Sequence, residues 1–367
     1  MTFQNAYPQD IKPLTPLRFA AALWVLLYFF GERAGLGWRE ASGFVAKGYL
    51  GVDLFFILSG FILAHVYGPG RIDGRFNFGS FLWARLARLY PVHLATLAML
   101  VALALAARLI GIDLHDAFDF RQLWGQLLMV QAWGVVPAGG WNHPAWSISA
   151  EWFAYLVFPL CFALVGMARR APWAGVAAAA ALFGGLFLVI PHLDIFGGTD
   201  LTQLTANGGA LRIIPSFLMG IALWRLGQSV SLPAPAAWTG AGLNAAWIVL
   251  APSLGAPDAI TWLGLAGLIF CLAETAKTSS DGILAAPTAL WLGEASYALY
   301  MVHMPVDLVW FQALQRIGLA PVGGLPAVAA VIGAMGASML AAGLLYQWIE
   351  RPARSWLRAR DPFKKRA

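Results

Sequence analysis

The stretch RFAAALWVLLYFFGE, Arg18 to Glu32, sets one arginine at the mouth of an apolar run and a glutamate at its far end. The uncharged residues between them are those of a membrane helix, and the surrounding segment 15–33 is long enough to cross a bilayer. Residue 29 lies eleven positions after Arg18, about 20° round the helix and about 16 Å further along it, so the two share a face at different depths. At that depth stands Phe29.

Runs of the same kind recur to the end of the chain. Segments near 15–33, 48–68, 91–112, 145–168, 173–191, 210–227, 236–252, 259–275, 288–313 and 326–349 each approach the roughly 17 to 25 apolar residues that a transmembrane helix needs. With 60% hydrophobic and 11% charged residues and a mean hydropathy of +0.69, the 367-residue chain has too little polar surface to cover a soluble globule. The expected fold is an all-α integral membrane protein, a bundle of about ten transmembrane helices with both termini cytoplasmic. One integral domain accounts for residues 1–367, with 351–367 as a short basic cytoplasmic tail. Most of the 17 tryptophans lie near the ends of the apolar runs, as interfacial belts do. The basic residues are scattered between spans, which argues against a nucleic-acid partner and for membrane lipid. Cys161 and Cys271 lie inside apolar segments without a ligand cluster, so neither a disulfide nor a metal site is expected. The first run follows Lys12 and Arg18 as a leader would, but no small-residue cleavage site follows it, so it reads as a retained helix.

Charge fixes the expected topology. Ten spans place seventeen of the 24 basic residues inside, among them Arg71, Arg75, Arg85, Arg88, the Arg169–Arg170 pair and the seven of the tail. The outer loops hold Asp113, Asp116, Asp119, Asp194, Asp200 and Asp258. The apolar stretch 122–137 would move Arg169 and Arg170 outside if it crossed, so it is expected to be re-entrant or to lie on the outer surface.

Ionisable groups at membrane depth are costly and mark candidate sites. Asp53 falls one to two turns into the second span. In WSISAEWFAY, Ser147, Glu151 and Tyr155 are spaced i, i+4, i+8 and line one helix face. His303 is deep in the ninth span. At the opposite end, RLARLYP puts Arg85 and Arg88 at i, i+3, a spacing that suits phosphate because guanidinium forks bind it bidentately. Each has a plainer reading: the arginines as topology determinants, Asp53 as a helix cap, Glu151 as an ion-paired strut, His303 as a tie between helices. His65, His93, His115, His143 and His192 fall at interfaces or in loops and read as non-catalytic.

Six segments in order, LRFAAALWVLLY, GYLGVDLFFILSGFIL, RLARLYP, WSISAEWFAYLVFP, SYALYMVHMPV and ERPAR, resemble the acyltransferase 3 family of membrane acyltransferases along nearly the whole chain. The resemblance implies transfer of an acyl group, commonly acetyl, from cytoplasmic acyl-CoA to a hydroxyl of a saccharide or related, in some cases lipid-linked, acceptor at the extracytoplasmic face of a bacterial inner membrane, with acyl-CoA (acetyl-CoA) as donor and no metal. By resemblance Arg18, Arg85 and Arg88 bind acyl-CoA, and Glu151 matches the family's glutamate. Asp53, Ser147 and Tyr155 would line the acceptor site. The family pattern in the first span ends in a histidine that acts as base, and here that position is Phe29, whose ring accepts no proton. Three explanations stay open. Another residue, with Glu32, Glu151 and His303 as candidates, has taken the role; position 29 has been changed deliberately; or the bundle serves as a non-catalytic carrier or regulator.

Overall fold

The structure is a computed structural model that describes residues 6–109, 111, 118–136, 140–167, 171–278, 282–319 and 323–364. Asp113, His115, Asp116, Arg169, Arg170, Lys365 and Arg366 lie outside the described residues. Ten helices of 18 residues or more follow one another among those described: α1 (Leu14–Arg33), α2 (Gly51–Ile72), α3 (Phe78–Leu109), α4 (Ala145–Met167), α5 (Pro172–Val189), α6 (Gly209–Gly227), α7 (Ala234–Ser253), α8 (Asp258–Ala276), α9 (Pro287–Arg316) and α10 (Gly324–Leu345). They match the ten expected spans in order, and no strand occurs among the described residues. The chain is a multi-pass integral membrane protein.

Eight of the ten are apolar enough, by length and composition, to cross a membrane. The exceptions are α7 and α9. In α9 the reason is visible: Ser296, Tyr300 and His303 are polar but buried, turned into the bundle and away from lipid. A helix that carries a polar site inward loses average hydropathy without losing its place in the bundle.

The largest departure from expectation is α3, which begins at Phe78, thirteen residues before the apolar run expected there. At 32 residues it is about 48 Å long, against a hydrocarbon core of about 30 Å. Its first turns are therefore an extension that carries Arg85 and Arg88 on the helix itself. The stretch at 122–137 yields one helix of six residues, Leu123–Leu128, about 9 Å long and too short to cross. It is tied to α3 by Tyr90, which donates to the Leu127 carbonyl, and by a 2.8 Å contact between His93 Nε2 and the Gln126 carbonyl.

Small residues set the centre of the bundle. A Cβ at Gly60 would stand 2.1 Å from the Phe217 carbonyl oxygen, and one at Gly220 2.0 Å from that of Ile57, so α2 and α6 cross backbone to backbone. Beside that crossing a buried ion pair joins the same two helices: Arg212 Nη2 donates to Asp53 Oδ2 at 2.6 Å, with the side chains 1% and 0% exposed.

The C-terminal residues pack back on the bundle. After α10 the helix passes through a π-helical turn, Tyr346–Glu350, into α11 (Arg351–Ala359), which lies against the start of α3. Trp83 Nε1 donates to the Leu357 carbonyl at 2.7 Å and Asn77 Nδ2 to that of Phe363 at 3.0 Å.

Candidate functional site

Among the described residues, two cavities that open into the bundle bear on the site. The larger, about 650 Å³, lies between α1, α2, α3, α4 and α9. Six residues singled out from the sequence line it together: Arg18, Arg85, Arg88, Ser147, Glu151 and Tyr155. The i, i+4, i+8 spacing on α4 and the i, i+3 spacing on α3 do what they predict and aim their side chains at one space.

Glu151 lines this cavity from α4. Its Oε1 accepts hydrogen bonds from Ser59 at 2.7 Å and from Tyr155 at 2.5 Å. Both donors are neutral, and the guanidinium groups of Arg18 and Arg88 lie within the electrostatic reach of Glu151. Arg85 Nη2 donates to the Tyr67 hydroxyl at 3.2 Å, and its guanidinium lies 5.5 Å and 6.0 Å from the ring centres of Tyr67 and Tyr155. Arg88 faces a second carboxylate, Glu350, fully buried at the end of the π-helical turn, with neither oxygen hydrogen-bonded among the described residues and Arg354 Nη1 3.8 Å from Oε1. Bulges of that type re-aim side chains, and here one directs an acid at a cavity arginine.

The smaller cavity, about 380 Å³, is of different character. Tyr28, Phe29, Tyr49, Trp146 and Tyr300 supply aromatic walls, and Arg39, His143, Gln203 and Thr205 supply polar groups. Val52 and Tyr300 line both cavities, so at these two positions a single side chain separates the two spaces. Tyr300 is fixed there by donating to the Pro144 carbonyl at 3.2 Å, which Ser147 also uses at 3.0 Å.

Of the other residues singled out from the sequence, Phe29 lines the aromatic cavity, and Asp53, Glu32 and His303 line neither. Asp53 is sealed behind Arg212. Glu32 is exposed and paired with Arg39. His303 is 1% exposed, its Nδ1 2.6 Å from the Tyr300 carbonyl and its ring packed on Phe29, Phe30 and Tyr300. Since a carbonyl oxygen only accepts, Nδ1 is the protonated nitrogen.

Sequence reading passed over several lining residues. Ser59 and Tyr300 are single polar positions inside otherwise apolar segments, and Arg358, on α11, lies in the basic C-terminal segment. Arg212 carried a usable signal, a charge near the start of the apolar segment 210–227, thirteen residues from the Arg225 at its other end, with Asp53 as a candidate partner. His143 gave none, being one histidine in a loop.

The acyltransferase domain of the acyltransferase 3 family matches residues 14–347. The chain belongs to that family. Among curated proteins, this acyltransferase is 28% identical to the acyltransferase MdmB of Streptomyces mycarofaciens over 379 residues, covering 96% of this chain and 94% of that one. It is 25% identical to YrhL of Bacillus subtilis (strain 168), whose name assigns it provisionally to peptidoglycan O-acetyltransferases, over 97% of this chain and 56% of YrhL. A shorter match, 38% identical over 118 residues, is to protein 2 in the picA locus of Rhizobium radiobacter, covering 29% of this acyltransferase and 62% of that protein. No solved structure matches. The relatives are bacterial, and the family makes this chain an enzyme that uses an acyl donor.

Proposed function

We propose that this acyltransferase moves an acyl group, acetyl in the first instance, from cytoplasmic acyl-CoA to a hydroxyl of a saccharide or related acceptor that enters from the opposite face of a bacterial inner membrane. The observation that carries the reading is the pair of adjoining cavities, the larger gathering Arg18, Arg85, Arg88 and Arg358 and the smaller setting aromatic rings beside His143, Arg39 and Arg212, with Val52 and Tyr300 shared between them.

Arg85 and Arg88, with Arg18 above them, bind the phosphates of CoA by charge and by bidentate hydrogen bonds. Glu151 and Glu350 hold these arginines in place, since side-by-side guanidinium groups repel one another unless carboxylates lie among them. The pantetheine arm then points along α2 toward Val52, bringing the thioester to the shared wall. On the other side, the rings of Tyr28, Tyr49 and Trp146 offer flat faces to a sugar, and Gln203 and Thr205 offer hydrogen-bonding groups. This polarity agrees with termini in the cytoplasm, where α11 adds Arg358 to the same cavity.

Transfer is direct, through a complex holding both substrates. The acceptor oxygen bonds to the thioester carbonyl carbon, the carbon–sulfur bond breaks, and the CoA thiolate leaves and is protonated. Neither cysteine offers an exposed nucleophile, Cys161 and Cys271 both being buried, and the Ser147 hydroxyl is committed to the Pro144 carbonyl. The test follows labelled acetyl-CoA in inverted membrane vesicles holding the protein. Free CoA should appear together with label in extractable saccharide. No thioester consumption with acetyl-CoA or longer acyl-CoA would sink the reading in favour of a carrier.

A further inference from the structure

We propose that His143, in the loop before α4, is the general base that takes the proton from the acceptor hydroxyl, doing from that loop what Phe29 cannot do from α1. This rests on the acyl-transfer reading of the two cavities.

Of the side chains lining the aromatic cavity, His143 is the one whose ordinary titration range lies near neutrality. Its ring centre is 6.0 Å from that of Phe29, so it serves the same space from the opposite side. No hydrogen bond to its ring occurs among the described residues, and the ring is open to the cavity. His303, the other imidazole against Phe29, is enclosed by Phe29, Phe30 and Tyr300 and lines neither cavity. His143 is also next in the chain to Pro144, whose carbonyl holds the hydroxyl of Tyr300 on the shared wall. A proton acceptor at His143 therefore stands beside the place where the thioester and the acceptor meet.

The loop is built to hold it there. Trp141 adopts φ 56°, a left-handed conformation that a bulky residue takes only when its surroundings impose it. What imposes it is the burial of its indole among Phe118 and Phe120, with Nε1 donating to the Asp119 carbonyl at 2.9 Å. Asn142, 1% exposed, donates through Nδ2 to Thr96 Oγ1 and to the Met301 carbonyl. Both residues before His143 are pinned to α3, α9 and the 119–120 turn, and the residue after it is a proline. A side chain presented this rigidly costs little entropy when it meets substrate.

In the transfer step the acceptor O–H bond breaks and its proton goes to the free nitrogen of the His143 imidazole. The acceptor oxygen forms the new bond to the acyl carbon, and the departing thiolate takes up a proton as CoA is released. The charged and titratable groups facing His143 are Tyr28 from α1, Arg39, Tyr49, Arg212 from α6 and Tyr300 and His303 from α9. None is a carboxylate. The ring is exposed to the cavity, yet desolvation by the surrounding cavity walls lowers its pKa below the ordinary 6.5, leaving it neutral and basic at pH 7. Turnover should hold through neutral pH and fall as the pH drops below about 6.5.

The experiment compares the full chain, His143→Ala, Phe29→His and the double variant in inverted membrane vesicles supplied with labelled acetyl-CoA, reading CoA release against pH, with folded yield checked by gel filtration in detergent. The expected result is a loss of about 10²- to 10⁴-fold in kcat for His143→Ala, with the acetyl-CoA KM unchanged, the acid limb gone and activity partly restored by free imidazole. The double variant should regain turnover, because a histidine at 29 faces the same cavity. Unchanged kcat and acid limb in His143→Ala would overturn the proposal while leaving acyl transfer standing, and so would a loss matched by loss of folded protein with no rescue by imidazole or by Phe29→His. An unmodified chain that consumes no acyl-CoA defeats the acyl-transfer reading itself, and this proposal with it.

Discussion

The arginine cavity and the aromatic cavity share a wall but are built on different principles. The first is assembled from five long helices, of which α3 delivers Arg85 and Arg88 at i, i+3 and α4 delivers Ser147, Glu151 and Tyr155 at i, i+4, i+8, each by its own regularity. The second takes part of its lining from α1, α2, α4, α6 and α9 and the rest from several connecting segments, Arg39, Tyr49, His143, Thr202, Gln203 and Thr205 among them. One is a socket for a fixed, highly charged donor. The other is a surface of rings and hydrogen-bonding groups on loops, the part of a fold that varies most freely with the ligand. Donor recognition is thus placed in rigid elements and acceptor recognition in replaceable ones.

The comparison breaks most severely at the ion pair behind the aromatic cavity. Arg212 also donates to the Leu204 carbonyl at 3.2 Å and the Tyr49 carbonyl at 3.0 Å, so it ties two of the connecting segments to α2 and α6. Arg212→Met leaves the Asp53 charge buried and alone, which costs about 3 to 5 kcal/mol. Thermal melting in detergent should show that loss, and Asp53→Leu added to Arg212→Met should recover most of it. If the single variant melts like the unmodified protein, the loop cavity does not depend on this pair.

Next in size is the donor cavity. Arg88→Ala or Arg85→Ala should raise the acetyl-CoA KM by roughly ten- to a hundredfold, the worth of a charge-assisted phosphate contact, and leave the acceptor KM unchanged. Lysine should restore only part, since it lacks the fork. A change in acceptor KM instead would mean that the two cavities do not divide the substrates as proposed.

The same contrast explains what the sequence made legible. Ten helices, their order and six lining residues followed from apolar length and helical period, because one helix suffices to define each. The start of α3 was missed because its first turns are amphipathic, and hydropathy sees only the lipid-facing part. Tyr300 and Ser59 were missed because polar side chains that face inward leave no periodic mark in a window dominated by apolar neighbours. His143 was out of reach for another reason: its nearness to Phe29 depends on how the loop before α4 folds over α1, a tertiary relation that no spacing encodes.

Phe29→His in the otherwise unchanged chain sharpens the comparison from the aromatic side. With a base already in the cavity, adding a second should change kcat by about threefold or less, since one positioned imidazole captures most of what general base catalysis gives. A gain of a hundredfold or more would show that position 29 is where the base belongs and that the chain as it stands lacks one.

The smallest effect should come from α11. Arg358 reaches the donor cavity from outside the five helices that enclose it, is exposed to water and lies near Arg85 and Arg88 without an acid of its own in direct contact among the described residues. A solvent-exposed ionic contact is worth about 0.2 to 1 kcal/mol, so Arg358→Ala should raise the acetyl-CoA KM by about fivefold at most. The rise should shrink as salt is added, because charges at that exposure are screened over about 10 Å at 0.1 M. The effect of Arg88→Ala should shrink far less, its guanidinium lying within the bundle between Glu151 and Glu350. Equal salt dependence for the two variants would place both arginines in the same aqueous vestibule and remove the distinction between a rim that attracts the donor and a socket that holds it.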